Sequence, residues 1–110
     1  MINIKIKPLS VNDCWQGRRF KTKKYKAYEE VLLLRLKPIK IPEPPLAINI
    51  EFGFSTSLAD IDNPIKPFLD ILQKKYKFND RDIYQLNINK KVVGKGLEYI
   101  NYNIKKACYK

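Results

Sequence analysis

Histidine is missing altogether from this chain. That absence removes serine–histidine and cysteine–histidine nucleophiles, histidine-bearing zinc sites and any imidazole general base. Whatever chemistry the chain performs must use carboxylates, lysine, tyrosine or a metal ion. Cysteine is nearly missing too: Cys14 and Cys108 are too few and too far apart for a zinc motif, and they read as isolated thiols. No run approaches the roughly 20 apolar residues needed to span a bilayer, and the opening MINIKIKPLS has no apolar signal-peptide core. These gaps point to a cytoplasmic protein without a membrane partner. No internal repeat is visible.

Acidic residues are the other shortage. Eleven Asp and Glu face 22 Lys and Arg, which leaves +11 on 110 residues and a pI near 9.7. A field of that sign favours a polyanion, and nucleic acid is the first candidate, because neutralising phosphates releases condensed counterions. Hydrophobic residues at 45% argue for a packed core over disorder, and the length suits a single domain over 1–110.

Alternation of Ile2, Ile4 and Ile6 with polar residues predicts a first strand ending at Pro8. A loop through Ser10, Asn12, Trp15 and Gly17 leads into a basic segment. Thr22 is placed to cap a helix that turns Tyr25, Tyr28, Leu32 and Leu36 inward and stops at Pro38. Four prolines between 38 and 45 predict an extended connector. The clearest strand follows, with Leu46, Ile48, Ile50, Phe52 and Phe54 alternating with Ala47, Asn49, Glu51 and Gly53. Asn63-Pro64 predicts the capped start of a second helix carrying Ile65, Phe68, Leu69 and Leu72 inward, to about Lys75. Stretches 83–93 and 97–104 flank Gly94-Lys95-Gly96 and predict a closing hairpin. The expected fold is α+β, a small mixed sheet of about four strands with two helices on one face, in the order β-α-β-α-β-β.

Five of the eleven acids, Asp60, Asp62, Asp70, Asp80 and Asp82, fall within residues 60–82 beside five cations, so that window is neutral and the rest of the chain carries the whole excess. A carboxylate focus inside a basic shell suits a metal-dependent nuclease: the shell draws in the phosphate backbone and the acids hold a hard cation against it. Asp60 and Asp62 lie where the strongest strand ends, and two residues apart in extended chain they point the same way. The other reading makes them turn or capping residues. Lys66, four residues from both Asp62 and Asp70, is either a clamp on the scissile phosphate oriented by Asp70 or an exposed ion pair. Arg18, Arg19, Lys21, Lys23, Lys24 and Lys26 put six cations into nine residues, interleaved with Phe20 and Tyr25 near Trp15. That mixture suits backbone tracking and base stacking, or the solvated start of a helix with its aromatics packed inside.

Together, several segments resemble the RusA family of Holliday-junction resolvases: Leu9-Ser10-Val11-Asn12; Gly17-Arg18-Arg19-Phe20-Lys21-Thr22 with Tyr25-Lys26-Ala27-Tyr28; Asp60-Ile61-Asp62-Asn63-Pro64-Ile65-Lys66 with Asp70; and Asn79-Asp80-Arg81-Asp82-Ile83. The resemblance implies a homodimer that nicks four-way DNA junctions in pairs during recombination and repair, using Mg²⁺ or Mn²⁺. It matches Asp60, Asp62 and Lys66 to the family's catalytic D-L-D-N-x-x-K segment and Asp80 to its third catalytic aspartate, so that Asp60, Asp62 and Asp80 would ligate the metal. Asp70 and Asp82 would support them, Asp82 assisting Asp80 or replacing it. Asn12 would join the six cations in binding DNA. Two departures stand out: Asn79 occupies the first position of an Asp-Asp pair, and Ser55-Thr56-Ser57-Leu58-Ala59 replaces the arginine run that some members carry before the first aspartate. Competing expectations are a non-catalytic basic nucleic-acid-binding accessory protein and a protein-binding inhibitor.

Overall fold

The strongest alternating run of the sequence becomes the central strand of the sheet. The computed structural model describes residues 1–17 and 20–108. In it β4 (Leu46–Phe54) buries Ile48, Ile50, Phe52 and Phe54 on one face. It lies between β5 (Ile83–Val92), which runs parallel to it, and β6 (Tyr99–Lys106), which runs antiparallel. A short β1 (Ile2–Ile4) pairs with the outer edge of β6, giving the order β1-β6-β4-β5. The α+β class and the two helices agree with the sequence. A two-stranded ribbon of β2 (Trp15–Gln16) and β3 (Phe20–Lys21) was not anticipated, and β1 stops well short of Pro8.

The expected hairpin of 83–104 does not form. Its two strands flank β4 instead of each other. The cause is the helix between β4 and β5: a helical crossover returns the chain to the start of β4, so the next strand pairs with it in parallel. The free edge of β4 is left for β6, and the connection through Gly94 and Gly96 crosses the end of β4, where the Val93 amide donates to the Phe54 carbonyl at 2.7 Å. Gly-Lys-Gly marked a reversal of direction, which carries no information about which strand becomes the neighbour.

Both helices cover the apolar face of β4. In α1 (Lys23–Arg35) the Thr22 hydroxyl accepts from the Tyr25 amide at 3.1 Å, satisfying one of the unpaired first-turn donors. Its helical spacing buries Tyr25, Tyr28, Leu32 and, at the C-cap, Leu36. In α2 (Ile65–Tyr76) Phe68, Ile71 and Leu72 are fully buried, and Phe68 sits edge-on to both Phe52 and Tyr102. Each large side chain buried this way contributes about 1.5–3 kcal/mol relative to exposure. Pro64, not Asn63, takes the cap position of α2, with no side-chain cap bond.

Among the described residues no helix covers the opposite face of the sheet, whose side chains are polar and satisfy one another. Asn87 donates to Asn49 and Asn49 to Asn103, each at 2.8 Å, a chain of amides across three strands. Asn3 bonds Asn101, and the Tyr99 hydroxyl bonds Glu51. The Tyr99 ring lies so close over Gly53 that a side chain there would displace it. Asparagine is a poor strand former, and cross-strand pairing is what makes it tolerable here. Among the described residues no helix is long and apolar enough to cross a membrane.

Candidate active site

Segments far apart in sequence meet at the C-terminal end of β4. A 3-10 turn, Val11–Asp13, is capped by Ser10, and the Val11 amide donates to the Asn63 carbonyl at 2.8 Å. The first loop and the acidic loop are thereby fastened together. A cavity of about 530 Å³ opens beside them, with Leu9, Ala27, Phe54 and Pro64 among its apolar walls and Lys7, Lys24 and Asp60 among its charged ones. The cation-rich start of α1 and the first candidate aspartate thus border one space.

Asp60 is exposed and accepts from the Asn63 side chain at 3.3 Å. Asp62 is exposed, and its carbonyl accepts the Ile65 amide at 3.2 Å, which starts α2. Lys66, on the first turn, donates to Asp70 at 2.9 Å. The hydrogen bond and charge of Asp70 hold the Lys66 ammonium above its ordinary range, and Asp80 adds to this from farther off. Lys66 therefore stays protonated.

Asp80 arrives by a different route. It opens a 3-10 turn, Asp80–Asp82, capped by Asn79, and its amide donates to the Gln73 side chain at 2.9 Å. Seven residues separate Gln73 from Lys66, about 10 Å along a helix axis. Because β5 is parallel to β4, the residues entering it lie toward the start of β4, whereas Asp60 and Asp62 follow its end. Topology therefore draws Asp80 to the flank of α2 and the loop acids to its N-terminus. Among the described residues no three acidic or cysteine side chains form one group able to hold a metal ion. The donor set itself, all carboxylates, is the chemistry a hard divalent cation takes. Asp82 is half-buried beside Asp80 in the same turn.

Of the basic segment, Arg18 and Arg19 lie outside the described residues. Lys23, Lys24 and Lys26 are exposed along α1, and Asn12 is exposed in its turn. Lys21 is committed internally: it bonds Glu29 at 3.1 Å and lies 5.3 Å from the centre of the Tyr25 ring. Lys74 of α2 reaches the same carboxylate at 3.1 Å, so Glu29 joins the two helices. Trp15 and Phe20 are exposed, at 43% and 72%, so neither belongs to the core, although Trp15 makes an edge contact with Tyr25.

Burial pushes the Glu29 carboxyl up, but hydrogen bonds and attraction from Lys21 and Lys74 outweigh it and hold the group below its ordinary value near 4.5. A depressed carboxylate stabilises the fold at pH above its unfolded value, and that stability is lost as the pH falls through the folded one. Glu29→Gln should cost about 1 kcal/mol at neutral pH, after allowing for solvent around the lysines, and should flatten the decline in stability below pH 4.5. Urea melts of both proteins across the acid range measure this. Equal slopes below that pH would show that Glu29 does not bridge the helices.

Two positioning residues escaped the sequence reading. Lys90 of β5 donates to the carbonyls of Ser57 and Ala59, fastening the loop that ends in Asp60. Gln73 holds the turn that carries Asp80. A lysine in a polar edge strand and a glutamine on a helix give no local signal, because both act through backbone groups supplied by other elements. Compared with known proteins, the chain matches no protein-family model and no curated protein.

Proposed function

We propose that the chain is a metal-dependent endonuclease of branched DNA, built like the RusA resolvases it resembles and acting on four-way junctions as a homodimer. The observation that carries this reading is the shared cavity: Lys24 of α1, Lys7 and Asp60 of the acidic loop after β4 border one space, and the same loop leads into the first turn of α2, where Lys66 is held charged by Asp70. Lys7, Lys23, Lys24 and Lys26 draw in the phosphate backbone without regard to sequence. Asp60 and Asp62 would hold Mg²⁺ or Mn²⁺, which when bound supplies Lewis acidity and an activated water, and Asp80 would join them as third ligand by movement of its turn from the flank of α2. Lys66, kept charged by Asp70, offsets the negative charge that builds on a phosphate under attack. Two opposed cuts in one junction call for two copies of the site, which a two-fold dimer provides.

A second reading has its own observation. Asp60 accepts from Asn63 within its loop, and Asp80 and Asp82 share a capped turn, as structural turn residues do. On that reading the same basic surface binds nucleic acid and cuts nothing. The deciding assay incubates a synthetic four-way junction with the protein, with Mg²⁺ or with chelator. Metal-dependent paired nicks are expected. Tight junction binding without cleavage in either Mg²⁺ or Mn²⁺ would leave the accessory reading standing.

A further inference from the structure

We propose that the cavity beside Asp60 receives one unpaired nucleobase with its sugar, turned out of the stack next to the strand to be cut. The inference rests on the nuclease reading for the identity of the polymer. The cavity's own chemistry selects the part of the polymer that enters. Its volume of about 530 Å³ falls in the range of small-ligand sites, about 300–1,000 Å³, and exceeds what a planar base alone needs. Leu9, Ala27, Phe54 and Pro64 offer apolar surface to a ring. Lys7 and Lys24, both exposed, also line it and offer charge to the phosphate of the same nucleotide, which remains in solvent.

The acids in the lining decide which end goes in. Asp13, Asp60 and Glu98 outnumber Lys7 and Lys24 in the lining, so the charge of the cavity opposes a phosphate seated within it. They are acceptors for the amino and ring N–H groups of a base. A bare phosphate would leave the apolar walls unused, and an apolar ligand would leave the lysines and carboxylates unused. A base on a charged backbone uses both. Enzymes that handle single nucleotides commonly extrude them into pockets of apolar and hydrogen-bonding character, and the unstacking cost is lowest where pairing is already broken, as at a branch point. The cavity is lined by Asp60 itself, so a base seated there sets which phosphate lies against the acidic loop.

The experiment uses the full chain carrying Asp62→Asn, without added metal, and a four-way junction with 2-aminopurine at the nucleotide beside the branch. Binding should raise the probe's fluorescence severalfold through unstacking and shield it from acrylamide. Ala27→Phe, at an exposed helix position, fills the cavity. In the same background it should restore quenching and weaken binding to that junction about tenfold, the scale of one lost base-stacking contact. Should the Ala27→Phe protein not fold, acrylamide access in the parent still decides. A probe as accessible as in free single strand, or an Ala27→Phe signal equal to the parent's, overturns the proposal. If the native chain cuts junctions while the probe stays silent, the pocket fails and the nuclease reading survives. A sheltered probe with no cutting in Mg²⁺ keeps the pocket and removes the nuclease.

Discussion

Replacing Asp60 or Asp62 with asparagine is expected to lower junction cleavage by at least about a thousandfold while leaving junction binding intact or tighter. Each substitution keeps side-chain size and removes one negative charge from a site that must hold a cation and approach a phosphate. The charge that helps catalysis hinders binding, so the two activities should separate. Both residues are exposed, and Asp62 starts α2 through its carbonyl, which asparagine retains, so the fold should persist. Asp80→Asn and Asp82→Asn extend the test, since only the one that supplies a ligand should join the inactive class. The measurements are single-turnover cleavage in Mg²⁺ and gel-shift affinity in chelator. Cleavage within a few fold of native for both Asp60→Asn and Asp62→Asn would refute the metal assignment, and a parallel loss of affinity would place these acids in the fold instead.

Neutralising Lys7, Lys23, Lys24 and Lys26 together should weaken binding to every DNA form and flatten the dependence of log affinity on log salt. Each cation that meets a phosphate accounts for a slope of about 0.9, so four contacts account for about 3 to 4. The matched control neutralises Lys91 and Lys105, in register with Gly53 and Ala47 on the amide-lined face of the sheet, and there the slope should hold. Fluorescence anisotropy from low to moderate salt measures both. Because these contacts carry no sequence information, the loss should be uniform across junction, flap and duplex. A slope changed by the control pair and untouched by the four would move the DNA path to the other face of the sheet.

The candidate site was legible in the sequence only in parts. The Asp60-Ile61-Asp62-Asn63 run lies at the end of the strongest strand, and its exposure follows from that place. Lys66 and Asp70 are an i, i+4 pair, and on α2 they meet at 2.9 Å as helical spacing requires. The basic stretch gave no means of dividing its lysines. Lys21 turns to Glu29, and Lys24 turns to the cavity. That division depends on where α2 brings Lys74 and where the acidic loop folds back, both decided by contacts between distant segments. Trp15 and Phe20 were equally ambiguous, and on the short ribbon both are exposed, with Trp15 meeting Tyr25 in an edge contact.

By itself the sequence determined whatever depends on neighbours within a few residues. Thr22 caps α1 because its hydroxyl reaches the amide three residues on. The alternation through 46–54 sets which side of β4 is apolar, and the 3.6-residue spacing sets which sides of the two helices meet it. Composition determined the charge and, through the missing histidine, the kinds of chemistry left open. Tertiary structure alone decided strand order, because a period-2 pattern states which face is buried and says nothing about which edge pairs with which. The α2 crossover made β5 parallel to β4, placed β6 on the other side and carried Asp80 to the flank of α2 beside Gln73. The cavity is likewise a tertiary product. Leu9, Ala27, Phe54 and Pro64 are scattered over 56 positions of the chain, and only packing of the first loop and α1 against the end of β4 brings them around one space.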